Sequence, residues 1–105
     1  MVPFHPLILI VMIFKKFDMQ GTHYNWSADQ GNNLFNGEPS RRLFDRFNGD
    51  QVLFLINFIA SLTERFYLRT GLYIEQMIKD ELPLAHKSEL SVFHWINNLP
   101  EREAS

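Results

Sequence analysis

One stretch of the chain, residues 51–66, constrains the fold more than any other, because ten of its sixteen side chains are apolar. In a helix successive residues are 100° apart, so the polar side chains collect in one stripe of roughly 60°. That stripe is formed by Asp50, Asn57, Ser61 and Glu64. A helix that is apolar over most of its circumference is buried on several sides. Since a bilayer span needs about twenty residues, the pattern predicts the central helix of a water-soluble protein.

A first helix is predicted before this central one, from Pro39 to Phe47. Proline is well suited to the first turn of a helix, and one apolar stripe follows, formed by Leu43, Phe44 and Phe47. The dipeptide Asn48-Gly49 is expected to end that helix, with glycine in the left-handed position that closes many helices. Asp50 then becomes the predicted N-cap of the central helix.

Two further helices are predicted after the central one. Ile74, Met77 and Ile78 have helical spacing, which predicts a helix over residues 71–82 that stops at Pro83. Ser88 is the predicted N-cap of a last helix that ends near Asn98. The sequence therefore predicts a mainly α fold, a small four-helix bundle-like domain over residues 39–99 with short links between its helices.

The two ends of the chain differ from this domain in composition. Residues 1–18 form an apolar leader, and residues 19–38 form a polar connector in which 22–26 alternates like one short strand. Three interpretations of the leader stay open: a buried element, a weak membrane-surface anchor, or a segment outside a natural product that starts at Met19. Residues 100–105 are expected to fray.

Size and cysteine content predict self-association. A 61-residue helical domain has a small core, and a chain without cysteine cannot add disulfides. A second copy of the chain would supply the missing buried surface, so we expect a homodimer with Phe54, Phe58 and Leu62 in its interface or in that of another protein partner. Asn57 either fixes the register of such an interface or lies in the solvent-facing polar stripe.

The sequence carries no catalytic signature. It lacks the HExxH, GxSxG and phosphate-binding glycine motifs, and its histidines have no metal-ligand spacing. Carboxylates near Pro83 are expected to be solvated; these are Glu75, Asp80, Glu81 and Glu89. We therefore expect a non-enzymatic protein–protein interaction or regulatory module of the cytoplasm, without metal or cofactor and without membrane contact.

A small basic cluster suggests an alternative function. Arg41, Arg42 and Arg46 fall on the predicted first helix, where Arg42 and Arg46 would be neighbours at i and i+4 and could present adjacent guanidinium groups to phosphates. This pattern would suit a transcription-associated nucleic-acid-binding protein. The chain has a net charge of −2, however, and phosphate binding normally uses a broader basic face, so the nucleic-acid interpretation is the less favoured one.

Overall fold

A computed structural model describes residues 14–26 and 37–99 of the chain. Within them the protein is mainly helical, as predicted. Helix α1 is Gly49–Ser61, α2 is Leu68–Asp80 and α3 is Glu89–Asn97, and a single 3-10 turn covers Lys16–Asp18. Most of the predicted leader, part of the connector and the predicted frayed tail lie outside the described residues.

The prediction of a helix from Pro39 to Phe47 is wrong, so the described residues contain three helices and not four. The segment is extended only around Leu43, which forms an isolated antiparallel bridge with Ser88, and it bends at residues 41–42 and turns at residues 46–47. Residues just before and at the start of α3 take the backbone hydrogen-bonding groups of the segment. Phe44 donates to the Lys87 carbonyl at 2.8 Å, and the Arg42 carbonyl accepts from Glu89 N–H at 2.9 Å. The expected apolar stripe does not form, since Phe44 is buried while Leu43 is 73% exposed.

Helix α1 begins two residues earlier and ends five residues earlier than predicted. Its N-cap is Asn48, whose side chain accepts from Gln51 N–H at 3.1 Å, and not Asp50. Gly49 is the first residue of the helix and has no left-handed backbone conformation. It lies beneath the ring of Trp26, where a Cβ atom would stand 2.6 Å from the indole.

Helices α2 and α3 complete the core. Helix α2 starts three residues before the predicted Gly71, and α3 agrees with its prediction, since the Ser88 hydroxyl accepts from Ser91 N–H at 3.1 Å as an N-cap does. Helix α1 packs against both of the others. The apolar core is formed by Phe14, Phe44, Val52, Leu53, Leu55, Ile56, Ile59, Ile74, Ile78, Leu82, Val92 and Ile96.

Residues 14–26, here called the strap, lie across α1 and α2. Phe14 is fully buried, and its backbone donates to and accepts from the Asn57 side-chain amide, both at 2.8 Å. Asn57 therefore holds the strap, a role that neither interpretation of its sequence position anticipated. The predicted short strand at residues 22–26 is reduced to one isolated parallel bridge between Asn25 and Asn48.

None of the helices among the described residues has the length and apolarity needed to cross a membrane.

Candidate functional site

The three arginines of the predicted basic cluster do not form one surface. Arg42 makes a two-pronged ion pair with Glu89, through Nε at 2.6 Å and Nη2 at 2.9 Å. Arg46 donates to the carbonyl oxygens of Ile78 and Leu82, the latter at 2.7 Å. Arg41 is exposed.

This placement follows from the missing first helix. Residues four apart are neighbours on a helix, but in the extended segment Arg42 turns to α3 and Arg46 turns to the end of α2. Cations are favourable at a helix C-terminus, where carbonyl groups lack partners inside the helix. The guanidinium groups of Arg42 and Arg46 thus make hydrogen bonds within the chain that hold the fold together. Binding of nucleic acid by this cluster stays a prediction.

Glu89 is the centre of a buried polar cluster. It stands on the first turn of α3 with no exposed surface. Besides Arg42, its carboxylate accepts from the Ser40 backbone N–H at 3.0 Å and from the Gln51 side-chain amide at 2.8 Å. A buried carboxylate is tolerated when it is paired and fully hydrogen-bonded, and Glu89 meets both conditions.

Gln51 extends this cluster along the chain. Its amide nitrogen also donates to the Leu43 carbonyl at 2.9 Å, and its amide oxygen accepts from Asp45 N–H at 2.8 Å. The side-chain amide thus pairs with the extended segment in the way that a neighbouring strand would. The Gln51 side chain therefore fixes residues 43–45 against α1. If these residues formed a helix, their backbone N–H and carbonyl groups would bond within that helix instead.

Glu75 organises a second buried polar cluster on α2. Its carboxylate accepts from the backbone N–H groups of Gln20 and Gly21, both at 2.9 Å, and from the Tyr24 hydroxyl at 2.8 Å. Burial raises the pKa of Tyr24 well above its ordinary value, and the hydrogen bond to Glu75 and the negative charge of Glu75 raise it further. The cluster fastens the strap to α2.

The expectation that Glu75 and Glu89 are solvated is therefore wrong. The signal that reveals them is helical spacing: Glu75 is three residues before the buried Ile78, and Glu89 is three residues before the buried Val92. Residues three apart share a helix face, so both glutamates occupy core-facing positions. A charged residue at a core-facing position needs a buried hydrogen-bonding partner. The charged residues on the same helix do not identify that partner.

The predicted interface residues Phe54, Phe58 and Leu62, here called the α1 stripe, lie on one side of α1 and at its end. Phe54 and Phe58 are half-buried and Leu62 is exposed. The Phe58 ring meets Phe93 of α3 edge to face at 5.5 Å, and the Arg42 guanidinium lies 5.7 Å from the Phe54 ring centre. Helix α3 therefore contacts the middle of this stripe, whose role as an interface stays a prediction.

The histidines among the described residues do not gather into a metal site. His86 Nδ1 lies 2.6 Å from the Ser91 hydroxyl, and His23 packs against Tyr24 and Phe47 with both ring nitrogens buried and unpartnered. Among residues 14–26 and 37–99, no group of three or more histidine, aspartate and glutamate side chains is placed to hold a metal ion.

Comparisons of this chain with protein-family models, with curated proteins and with solved structures give no match.

Proposed function

We propose that this protein is a non-enzymatic interaction or regulatory module that acts as a homodimer through the α1 stripe. In a symmetric dimer the same patch faces itself across a two-fold axis. The stripes of two α1 helices then cover each other, and Phe54, Phe58 and Leu62 lose their remaining contact with water.

The observation that supports this proposal is the division of the apolar side chains of α1. Six of them are buried by the chain itself, namely Val52, Leu53, Leu55, Ile56, Ile59 and Ala60. The two that keep exposed surface are Phe54 and Phe58, and Leu62, the C-cap of the helix, continues the same spacing of four residues. Residues at this spacing lie on one face of a helix, so the three side chains leave the same side of the molecule.

The extent of this surface limits the affinity. The chain covers more of α1 than its sequence predicts, and two of the three stripe residues are already half-buried. Full burial of an exposed Leu or Phe contributes about 1.5–3 kcal/mol, and association carries its own entropic cost. We therefore expect a reversible dimer with a dissociation constant of about 1–100 µM.

Sedimentation velocity over a concentration series tests the proposal. Wild type should shift from monomer to dimer across this range, whereas Leu62→Glu should stay monomeric because it places a charge in the apolar contact. Leu84→Glu is the matched control, since Leu84 is also exposed but lies in the link between α2 and α3, and it should dimerise like wild type. A wild-type chain that remains monomeric at several hundred micromolar, roughly three times the upper end of that range or more, contradicts the proposal.

A further inference from the structure

The start of α1 carries a dipeptide with a chemistry of its own, Asn48-Gly49. An asparagine side chain loses ammonia when the backbone nitrogen of the following residue attacks its amide carbon. Glycine favours this attack more than any other following residue, because it has no side chain to obstruct the approach and its backbone is the most mobile. In an unstructured chain this dipeptide is therefore a site of deamidation.

The fold holds both reacting groups of the dipeptide in other hydrogen bonds. The Gly49 N–H donates to the Asn25 carbonyl at 3.0 Å, and the Asn48 side-chain oxygen accepts from Gln51 N–H at 3.1 Å. The Gly49 nitrogen has to give up its hydrogen before it can attack, so its hydrogen bond to Asn25 opposes the reaction. Gly49 is also buried and helical, which removes the mobility that makes glycine reactive.

The strap supplies much of this protection. Asn25 belongs to it, and so does Trp26, whose ring lies over Gly49 with indole carbons 2.6 Å from the place of a Cβ atom. The ring keeps water and hydroxide away from the Gly49 nitrogen. Among residues 14–26 only Phe14 is buried, and segments with few buried side chains open locally before the helices of the core do. Opening of the strap therefore uncovers Gly49 while the rest of α1 is still formed.

We propose that Asn48 is a deamidation site which the attached strap keeps unreactive and which reacts once the strap detaches. The Gly49 nitrogen gives its proton to hydroxide and bonds to Asn48 Cγ, and the carboxamide nitrogen takes a proton from water and leaves as ammonia. Water then adds to one of the two carbonyl carbons of the cyclic imide and breaks the bond of that carbon to nitrogen. The product is aspartate or isoaspartate at position 48, and nothing is oxidised or reduced.

The two products have different effects on the fold. Aspartate caps a helix as well as asparagine does, and its negative charge is favourable at a helix N-terminus, so a chain that carries it can refold. Isoaspartate adds a methylene group to the backbone between positions 48 and 49. This displaces the Gly49 N–H from the Asn25 carbonyl, so the strap cannot restore its contact there. Release of the strap is thus recorded as a permanent covalent change.

Peptide mass spectrometry tests the protection of Asn48. The intact chain and a capped synthetic peptide of residues 46–51 are incubated side by side in the same mildly alkaline buffer, and deamidation is followed over time. We expect the rate to be about tenfold lower in the intact chain than in the peptide, or lower still. Equal rates contradict the proposal, because they show that the folded chain does not protect Asn48.

Removal of the Trp26 ring tests the role of the strap. Trp26→Ala should raise the rate of Asn48 deamidation in the intact chain about fivefold. The matched control is Trp95→Ala, which removes another half-buried indole, from α3, where the ring lies 6.3 Å from His86. Equal acceleration in the two variants overturns the proposal, because general loss of stability then accounts for the reaction. No acceleration in Trp26→Ala overturns it as well.

A second variant releases the strap without touching the dipeptide or the ring above it. Glu75→Ala removes the acceptor of the Gln20 and Gly21 N–H groups, and it should also raise the rate of Asn48 deamidation about fivefold. Gln76→Ala, at an exposed position on the same helix, is its control and should react like wild type. A rate in Glu75→Ala that equals the wild-type rate refutes the proposal, because detachment of the strap then does not govern the reaction.

Discussion

Glu75 and Glu89 do similar structural work in different electrostatic surroundings. Each is buried in a helix and accepts hydrogen bonds from a non-helical segment, the strap in one case and the segment after Pro39 in the other. Glu89 has a cation, Arg42, as its main partner, whereas the donors that bind Glu75 through the described hydrogen bonds are two backbone groups and a tyrosine hydroxyl. The negative charge of Glu89 is paired with a positive charge, whereas the negative charge of Glu75 is stabilised by hydrogen bonds from neutral donors.

This difference determines what each cluster loses when its carboxylate is removed. At Glu89 the removal takes the carboxylate away from the Arg42 guanidinium, whose side chain is 36% exposed, and from the buried Gln51 amide, and hydrogen bonds between charged groups contribute more than those to neutral donors. At Glu75 the removal leaves neutral donors without an acceptor, and such donors lose less free energy. The comparison therefore predicts an order of effects, which three experiments can check.

The largest expected effect is that of Glu89→Ala. It should lower the free energy of unfolding by about 2–4 kcal/mol, because the donors from Arg42, Ser40 and Gln51 all lose their acceptor, while solvent at the partly exposed Arg42 guanidinium reduces the loss. Since a domain of this size has about that much stability in total, chemical denaturation should show little or no cooperative transition. Glu81→Ala, at an exposed position, is the control. A loss below about 1 kcal/mol would show that Arg42 is satisfied by solvent.

A smaller effect is expected for Glu75→Ala, about 1–3 kcal/mol. The variant should keep its helices and lose the attachment of the strap. Hydrogen exchange measures this locally: the amides of Gln20 and Gly21 should lose protection, while those of Phe44 and Glu89 keep it. Equal loss of protection at both pairs would show that the two clusters unfold together and would remove the distinction between them.

The smallest effect concerns alkaline pH. The raised pKa of Tyr24 keeps its hydroxyl protonated in the folded protein at pH values where the unfolded chain ionises, near pH 10. Folding is thus favoured below that pH, and stability should fall as the pH rises beyond it. Because Tyr24 is only half-buried and solvent screens the charge, the loss should be less than about 1 kcal/mol per pH unit.

The alkaline prediction is measured by urea denaturation of wild type and Tyr24→Phe at pH 9, 10 and 11. The phenylalanine variant should be less stable at pH 9, because the Glu75 carboxylate loses a donor, and its stability should fall less steeply above pH 10. Parallel curves for the two proteins would show that Tyr24 does not account for the loss, which would then belong to the other ionisable groups.

The spacing of apolar residues predicts a helix correctly where it gives the same boundaries as the capping residues. Helix α3 follows this rule, because the Ser88 cap and the Val92 and Ile96 positions give the same boundaries. The segment around Phe44 breaks it: local propensity favours a helix there, but the backbone groups find partners at Lys87 and Glu89. Such partners are remote in sequence, so a local pattern does not contain them.

The candidate sites also differ in whether the local sequence predicts them. The α1 stripe is readable from sequence because helical geometry alone places Phe54, Phe58 and Leu62 on one face. The ion pair between Arg42 and Glu89 joins residues 47 positions apart. The sequence around either residue does not predict this pairing. The backbone hydrogen bonds between residues 40–44 and residues 87–90 bring the two side chains within bonding distance.

The side-chain amide of Gln51 has a consequence for how these molecules behave at high concentration. The extended segment around Leu43 pairs with the approach to α3 along one edge, and Gln51 occupies the Leu43 carbonyl and the Asp45 N–H on the other. Unpaired strand edges are the templates on which chains stack into amyloid. Because a single carboxamide already bonds these two backbone groups, they are not free to pair with a strand of another molecule.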